Sequence, residues 1–306
     1  MPASYLDMST EVLQERITAA EALLSPCTLC PRQCGIDRLA GEQGYCDTGA
    51  EAKIASAGPH YGEERPLVGS GGSGTIFFAG CNMGCVFCQN YDISHLARGR
   101  ERSAQELADM MLSLQKQGCH NINVVTPSHV VPQILQALSH AIDGGLEVPL
   151  VYNSGGYDAV ETLKLLDGIV DIYMPDAKYA DPETARELSD APDYPEVMKA
   201  ALTEMHRQVG DLTLDDRGVA VRGLLVRHLV LPEDLAATQQ VMEFIASLST
   251  DTYVNVMDQY RPCYRADEYE GINRRLHSHE YEAAVQATHD AGLHRLDDRN
   301  RPGILF

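Results

Sequence analysis

Six apolar runs, each short enough for a strand and each leading into a helical pattern or a loop, set the frame for this chain. They are TIFFA (75–79), NINVV (121–125), VPLVY (148–152), IVDIYM (169–174), VAVRGLLVRHLVL (219–231) and TYVNVM (252–257). Such alternation argues for βαβ units, with parallel strands joined by right-handed crossovers. SAQELADMMLSLQKQ (103–117) reads as a helix opened by a capping box of Ser103 and Glu106. Further helices are predicted at VVPQILQALSHAI (130–142), at DAVETLKLLDG ending at Gly168, in two stretches split around Pro192 and Pro195, at DLAATQQVMEFIASL and at about 279–291. Six repeats fall short of a closed eight-stranded barrel, so the expected fold is α/β, an open or partial (β/α)6-type barrel.

Ahead of the barrel, residues 9–24 form an amphipathic pattern capped by Ser9 or Thr10 and stopped before Pro26. CTLCPRQCGIDRLAGEQGYC follows, a loop punctuated by Gly and Pro. The expected division is an N-terminal helix and cysteine knuckle at 1–50, then a barrel with a C-terminal helix at 51–306.

The chain has 306 residues, and a net charge of −20 leaves no basic surplus to neutralise phosphates, which argues against a nucleic-acid partner. No apolar stretch approaches the roughly 18 residues of a membrane span, and MPASYLDMSTEV lacks a basic segment followed by an apolar run. A cytoplasmic protein is expected.

Nine cysteines are placed unevenly. Cys27, Cys30, Cys34 and Cys46 sit in the knuckle, Cys81, Cys85 and Cys88 follow TIFFA, and Cys119 and Cys263 stand alone. Close spacings without a secretion signal suit metal chemistry better than disulfides. The knuckle meets the four-ligand requirement of structural zinc, and it equally suits an auxiliary iron–sulfur cluster. The triplet poses a different problem. Zinc there would need a fourth ligand, and Cys119 precedes its strand at the end remote from the triplet. A [4Fe–4S] cluster on three thiolates would instead leave one iron open to a small molecule.

In parallel α/β folds chemistry gathers at the C-terminal ends of the strands. The three-cysteine loop, TPSH, NSGGYD, PDAK and DQYRP all occupy such positions. GSGGSG (69–74) matches a dinucleotide fingerprint in letters only, because it precedes a strand instead of opening a helix. HSH (277–279) carries no zinc-hydrolase spacing.

C-x-x-x-C-x-aromatic-C, with Phe87 before the last cysteine and an apolar strand leading in, resembles the signature of radical S-adenosylmethionine (SAM) enzymes. CVFCQN running into YDIS, with DAK after the fourth run, is similar to the pyruvate formate-lyase activating enzyme group. Its less characterised relatives are closer, through CTLCPRQCG, NVVTPSHVVPQI, VYNSGGYD, MPDAKY and MDQYRP across 27–262. The resemblance implies a radical SAM barrel in which Cys81, Cys85 and Cys88 hold a [4Fe–4S] cluster. The open iron would chelate SAM, whose reductive cleavage gives a 5′-deoxyadenosyl radical for hydrogen abstraction.

Carried over by position, Asp176 and Lys178 match an Asp-x-Lys that helps hold SAM, and Asn153, Ser154 and Gly155 match a SAM-contacting turn, with Asn153 replacing the expected Asp. Thr126-Pro127-Ser128-His129 stands where activating enzymes have Gly-Gly-Glu, so Thr126 or His129 would take over the methionyl amine. Tyr260 replaces a histidine. A low-potential electron donor of the flavodoxin or ferredoxin type is implied, as is a substrate protein that would receive a glycyl radical. A peptide or small-molecule substrate, or a non-catalytic electron-transfer role, stands as the alternative.

Overall fold

Residues 2–297 are described in the computed structural model. The six apolar runs supply its six principal parallel strands. In chain order the elements are α1 (Thr10–Ala22), β1 (Ala52–His60), α2 (Arg65–Val68), β2 (Ser73–Phe78), α3 (Tyr91–Ser94), β3 (Arg100–Arg102), α4 (Ala104–Lys116), β4 (Ile122–Val125), α5 (Val131–Asp143) and β5 (Leu150–Ser154). The chain continues with α6 (Val160–Lys164), β6 (Ile172–Pro175), α7 (Pro182–Ser189), α8 (Tyr194–Val209), β7 (Thr213–Leu214), β8 (Ala220–Leu229), α9 (Thr238–Leu248), β9 (Tyr253–Met257), α10 (Ser278–Asp290) and β10 (Arg295–Leu296). The sheet order is β10-β9-β8-β6-β5-β4-β2-β1-β3, with β7 against β8. From β2 to β10 the neighbours along this order are parallel, whereas β1 runs antiparallel to both β2 and β3. The sheet does not close, and the fold is the expected α/β partial barrel.

Two helix starts behave as their residues dictate. Ser9 caps α1 by accepting from the Val12 amide, and Ser103 with Glu106 forms the reciprocal box at α4. One expected helix is shorter than its pattern. Only Val160–Lys164 is α-helical, and the chain then tightens into i→i−3 bonds such as Leu165 to Thr162 and Leu166 to Leu163. Ile169 and Val170 belong to that turn, so β6 begins at Ile172. Strand β1, AKIASAGPH, carries no apolar run. Its Ala, Gly and Pro content is poor in strand formers, and pairing with β2 imposes the conformation.

Alternation along the strands sorts their side chains onto two faces. Val124, Tyr152, Tyr173, Val226 and Val254 pack beneath the helices. Val151, Ile172, Met174 and Leu225 form the inner core with Leu67 of α2. Parallel connections aim the C-terminal ends of β2, β4, β5, β6, β8 and β9 at one rim.

The glycines of GSGGSG build a tight lead-in to β2. A Cβ on Gly71 would fall 1.9 Å from the Gly118 carbonyl oxygen, and the amides of Ser70 and Gly71 donate to His120 Nε2. Cys119 is buried at the opposite end of β4 from the rim, beside Gly74.

Candidate active site

The loop after β2 is turned by Gly80, whose φ is +84° and where a Cβ would lie 2.2 Å from the Cys46 carbonyl oxygen. Only glycine fits that approach. Helix α7 and its end anchor the loop, because the Gly84 amide donates to the Ser189 carbonyl and that of Val86 to Leu188. Asn82 Nδ2 donates to the Tyr157 carbonyl at 2.6 Å.

Each cysteine sulfur of the loop has a polar neighbour. Cys81 Sγ accepts from the Met83 amide at 3.4 Å, Cys85 Sγ from Ser189 Oγ at 3.0 Å, and Cys88 Sγ lies 3.1 Å from Ser94 Oγ. Burial pushes the Cys81 and Cys88 thiols up, and nearby Cys85 adds to the shift, while the Lys178 ammonium acts in the opposite sense on both. Three sulfurs and one lysine thus share a single electrostatic neighbourhood.

Lys178 belongs to a charged network on the inner rim. Its Nζ lies 2.6 Å from Asp176 Oδ2, and Arg227 Nε donates to Asp176 Oδ1 at 2.9 Å. Arg227 Nη2 donates to Asn153 Oδ1 at 2.7 Å. Side-chain exposures of 15, 16 and 19% for Asp176, Lys178 and Arg227 leave little water to screen these contacts. Burial opposes ionisation of Asp176, but Arg227 and then Lys178 outweigh it and hold the carboxyl below its ordinary value. Lys178 is likewise raised, because Asp176 and Cys85 overcome its desolvation.

The sequence reading missed Arg227, although a charge inside GLLVRHLVL was its signal. It also missed Glu63 and Glu64, both buried ahead of α2. Asn255 Nδ2 donates to Glu64 Oε1 at 3.0 Å, and Asn255 pairs in register with Arg227. Asn255 Oδ1, Glu64 Oε2 and both amide atoms of Asn123 are buried without a partner. Asn123 is in register with Val151 of the inner core, so it faces the interior.

The remaining expected site residues divide by location. A Cβ on Gly155 would sit 3.0 Å from Met83 Sδ and 3.8 Å from Lys178 Cε, which places this glycine between the cysteine loop and the network. Ser154 points the other way, donating to Asp158 Oδ2 at 2.6 Å. Thr126 follows β4 in the left-handed region, with φ +60°, and its amide donates to the Asn153 carbonyl. Tyr260 is buried edge-on to Phe87 at 5.8 Å, its hydroxyl bonded to the Ile272 carbonyl. His129 is not brought to the network. Its Nε2 meets the Ala79 carbonyl at 3.0 Å, and the ring lines a cavity in the knuckle.

That knuckle spans 25–51 with no regular element beyond a bridge between Leu24 and Cys27. Cys27, Cys30, Cys34 and Cys46 all line its cavity. Burial pushes the Cys30 thiol up to about 12. Thr162 Oγ1 donates to the Leu29 carbonyl, and Arg32 Nε to the Asn82 carbonyl at 2.8 Å, so the knuckle rests directly on the barrel.

Residues 75–215 match the family described as the radical SAM superfamily, a span running from β2 through β7. An uncharacterised protein of Methanocaldococcus jannaschii is 33% identical over 297 residues, covering 94% of this chain and 81% of its own length. Among solved structures, HydG, a maturase of the [FeFe]-hydrogenase, aligns at 12% identity and a TM-score of 0.48 over 69% of this chain. The chain spans about half of that protein, 47%. The three-cysteine loop at the end of the first parallel strand lies within the matched span, and this chain belongs to the radical SAM superfamily.

Proposed function

We propose that this chain cleaves SAM reductively and uses the resulting radical to take hydrogen from a substrate, in the manner of the pyruvate formate-lyase activating enzymes. The carrying observation is the placement of Lys178 between the Asp176 carboxylate and the three loop cysteines. Superfamily membership implies a [4Fe–4S] cluster and SAM, and the residues fit both: three thiols on one loop and a lysine beside them.

Bound there, the cluster with its open iron would supply the electron that breaks the sulfonium C–S bond. The protein's share is positioning. Cys81, Cys85 and Cys88 would hold three irons, with Ser189 and Ser94 donating to sulfur. Lys178 would meet the methionyl carboxylate, and Asp176, fixed by Arg227, would stay ionised to receive the amine. Asn153 and Gly155 would line the same molecule, and Thr126 presents its strained turn at the rim. The orphaned amide of Asn123, with Asn255 Oδ1 and Glu64 Oε2, favours a polar occupant deeper in the barrel. Tyr260 would back the cluster loop through Phe87.

A low-potential flavodoxin or ferredoxin would provide electrons, as radical SAM enzymes usually require, and a protein receiving a glycyl radical is the activase-like substrate. The knuckle would carry a second metal centre. Among the described residues no helix is long and apolar enough to cross a membrane.

Anaerobically reconstituted, reduced protein should convert SAM to 5′-deoxyadenosine, and Cys85→Ala should abolish the conversion. A fully iron-loaded, reduced sample that leaves SAM intact would refute the reading.

A further inference from the structure

A surface of aromatic rings lies directly against the cysteine loop. His95 closes the turn of α3, and its Nε2–H donates to the Cys85 carbonyl at 2.9 Å. The Tyr264 ring runs nearly parallel to two rings of this segment, with centroids 4.4 Å from His95 and 5.3 Å from Tyr91. The Arg265 amide donates to the Val86 carbonyl, which ties the Tyr264 loop to the cysteine loop. Gln89 Nε2 adds a second tie, to the Gln259 carbonyl at 3.2 Å. Tyr264 holds a φ of +54°, a left-handed conformation that a bulky residue rarely adopts. Such strain persists only where the surroundings enforce it, and it concentrates at functional surfaces.

These rings stay open to solvent. Tyr91 and Tyr264 are each 40% exposed, with Leu96 at 50% and Tyr45 at 42%. Those four are nearly half of the nine large hydrophobic side chains exposed among the described residues. Tyr45, His95 and Tyr264 line one concavity together with Gly84 and Val86 of the cysteine loop. Scattered apolar side chains on a surface need no explanation. A cluster of them over one functional loop marks contact with another molecule.

Two observations indicate which molecule. Lys178, paired with Asp176 on the inner rim, acts on the sulfurs from inside the barrel, whereas the rings reach the loop from solvent. A substrate of the radical must enter on the side of Lys178. The outer face therefore suits a partner that needs the metal centre and not the radical, which is the electron carrier. The second observation is charge. Arg98, whose amide donates to the Asp92 carbonyl of α3, and Arg261, three residues ahead of Tyr264, are exposed and outside every ion pair among the described residues. Arg186 and Arg265 on the same concavity are instead held by Glu183 and Glu268. Asp92 and Asp258 lie close in sequence, so the free cations form two points and not a basic field. On a chain of net charge −20 they offer an acidic partner two anchors.

We propose that the surface of Tyr91, Tyr264 and His95 is the docking face of an acidic, flavodoxin-type carrier, whose electron enters the cysteine loop through His95 and the Cys85 carbonyl. The planar edge of a flavin matches a planar ring surface, which an iron–sulfur carrier would leave unused. The carrier gives up one electron, its anionic flavin hydroquinone becoming the neutral semiquinone, and the centre held by Cys81, Cys85 and Cys88 takes it up. No bond forms or breaks in this step. The docking face stands on the ring geometry, while the use of the electron rests on the function proposed above.

The test uses iron-loaded protein handled without oxygen, with a purified flavodoxin as the probe. Titration calorimetry with oxidised flavodoxin should give a complex that Arg98→Glu combined with Arg261→Glu weakens about 10-fold or more at low salt, a difference that shrinks as salt rises. Asparagine tolerates the left-handed backbone, so Tyr264→Asn removes the ring without adding strain. Mixed with hydroquinone flavodoxin, that variant should form flavin semiquinone about 10-fold or more slowly. Dithionite, a small reductant that needs no docking face, should reduce the centre of each variant as fast as that of the wild type. Wild-type affinity and transfer rate in these variants would overturn the proposal, as would an equal loss with dithionite, which marks a structural role. Dependence of an acidic ferredoxin, and not of flavodoxin, on these residues also overturns it. So does a wild-type dimer in sedimentation that the arginine reversals dissociate. Should a variant misfold, the wild type decides alone, because no complex with flavodoxin at low salt refutes the docking face. Failure of the SAM reading looks different: the centre would take the electron through this face and release no 5′-deoxyadenosine.

Discussion

Arg227 Nε donates to Asp176 Oδ1 at 2.9 Å, so strand β8 supplies the cation that keeps the carboxylate beyond β6 ionised. Asp176 also accepts from Lys178 and so couples two cations of opposite use. Arg227 is structural, held by Asp176 and Asn153, while Lys178 faces the cysteine loop.

Replacing Arg227 by Met should therefore destabilise the fold and weaken the cofactor site together. Removing one partner of a largely desolvated pair costs about 3 kcal/mol, read as a lower denaturation midpoint with an unchanged slope. SAM affinity, followed by equilibrium dialysis, should fall in the same variant. Unchanged stability would mean that Asp176 finds compensation elsewhere.

Lys178→Gln separates the two roles. Iron content should match the wild type, because the lysine is no ligand. SAM affinity should drop roughly 10- to 100-fold, the value of one charge-assisted hydrogen bond. Loss of iron in this variant would instead tie Lys178 to assembly of the loop.

Ser189→Ala removes the hydroxyl that donates to Cys85 Sγ at 3.0 Å. Hydrogen bonds to sulfur stabilise the reduced, more negative cluster, so the midpoint potential of the Cys81 loop centre should become more negative. Redox titration followed by electron paramagnetic resonance checks the sign, and a positive shift contradicts it.

His228 sets a pH dependence. Its Nδ1–H donates to the Ala177 carbonyl at 2.7 Å, and Nε2 accepts from Thr238 Oγ1 at 3.0 Å, which specifies the neutral ring. Burial is the main cause of its lowered pKa, and it also holds His129 down at about 4. As pH falls below about 6.5 the unfolded chain binds protons that the folded chain refuses, so stability must decrease. Each histidine adds at most about 1.4 kcal/mol per pH unit to that slope. His228→Asn should flatten the profile between pH 6.5 and 5 in denaturant titrations, and an equally steep profile would assign the slope to other groups.

The chain order of βα units, the cap residues of α1 and α4 and the rim position of the cysteine loop were legible in the sequence, because each depends on local spacing and on the two-residue period of strands. Asp176 and Lys178 were legible as a pair only through the Asp-x-Lys resemblance. Partners distant in sequence were not. Arg227 reaches Asp176 across 51 positions, and Asn255 reaches Glu64 across 191. His129 reads as a rim residue by its place after β4, yet packing turns its ring into the knuckle. Strand β1 was invisible because its residues do not favour a strand and only β2 makes them one. Local chemistry thus determined which elements form and where the thiols cluster. The tertiary structure decided which charges neutralise one another and which buried donors await an acceptor, because desolvation is a property of the folded surroundings and not of the residue.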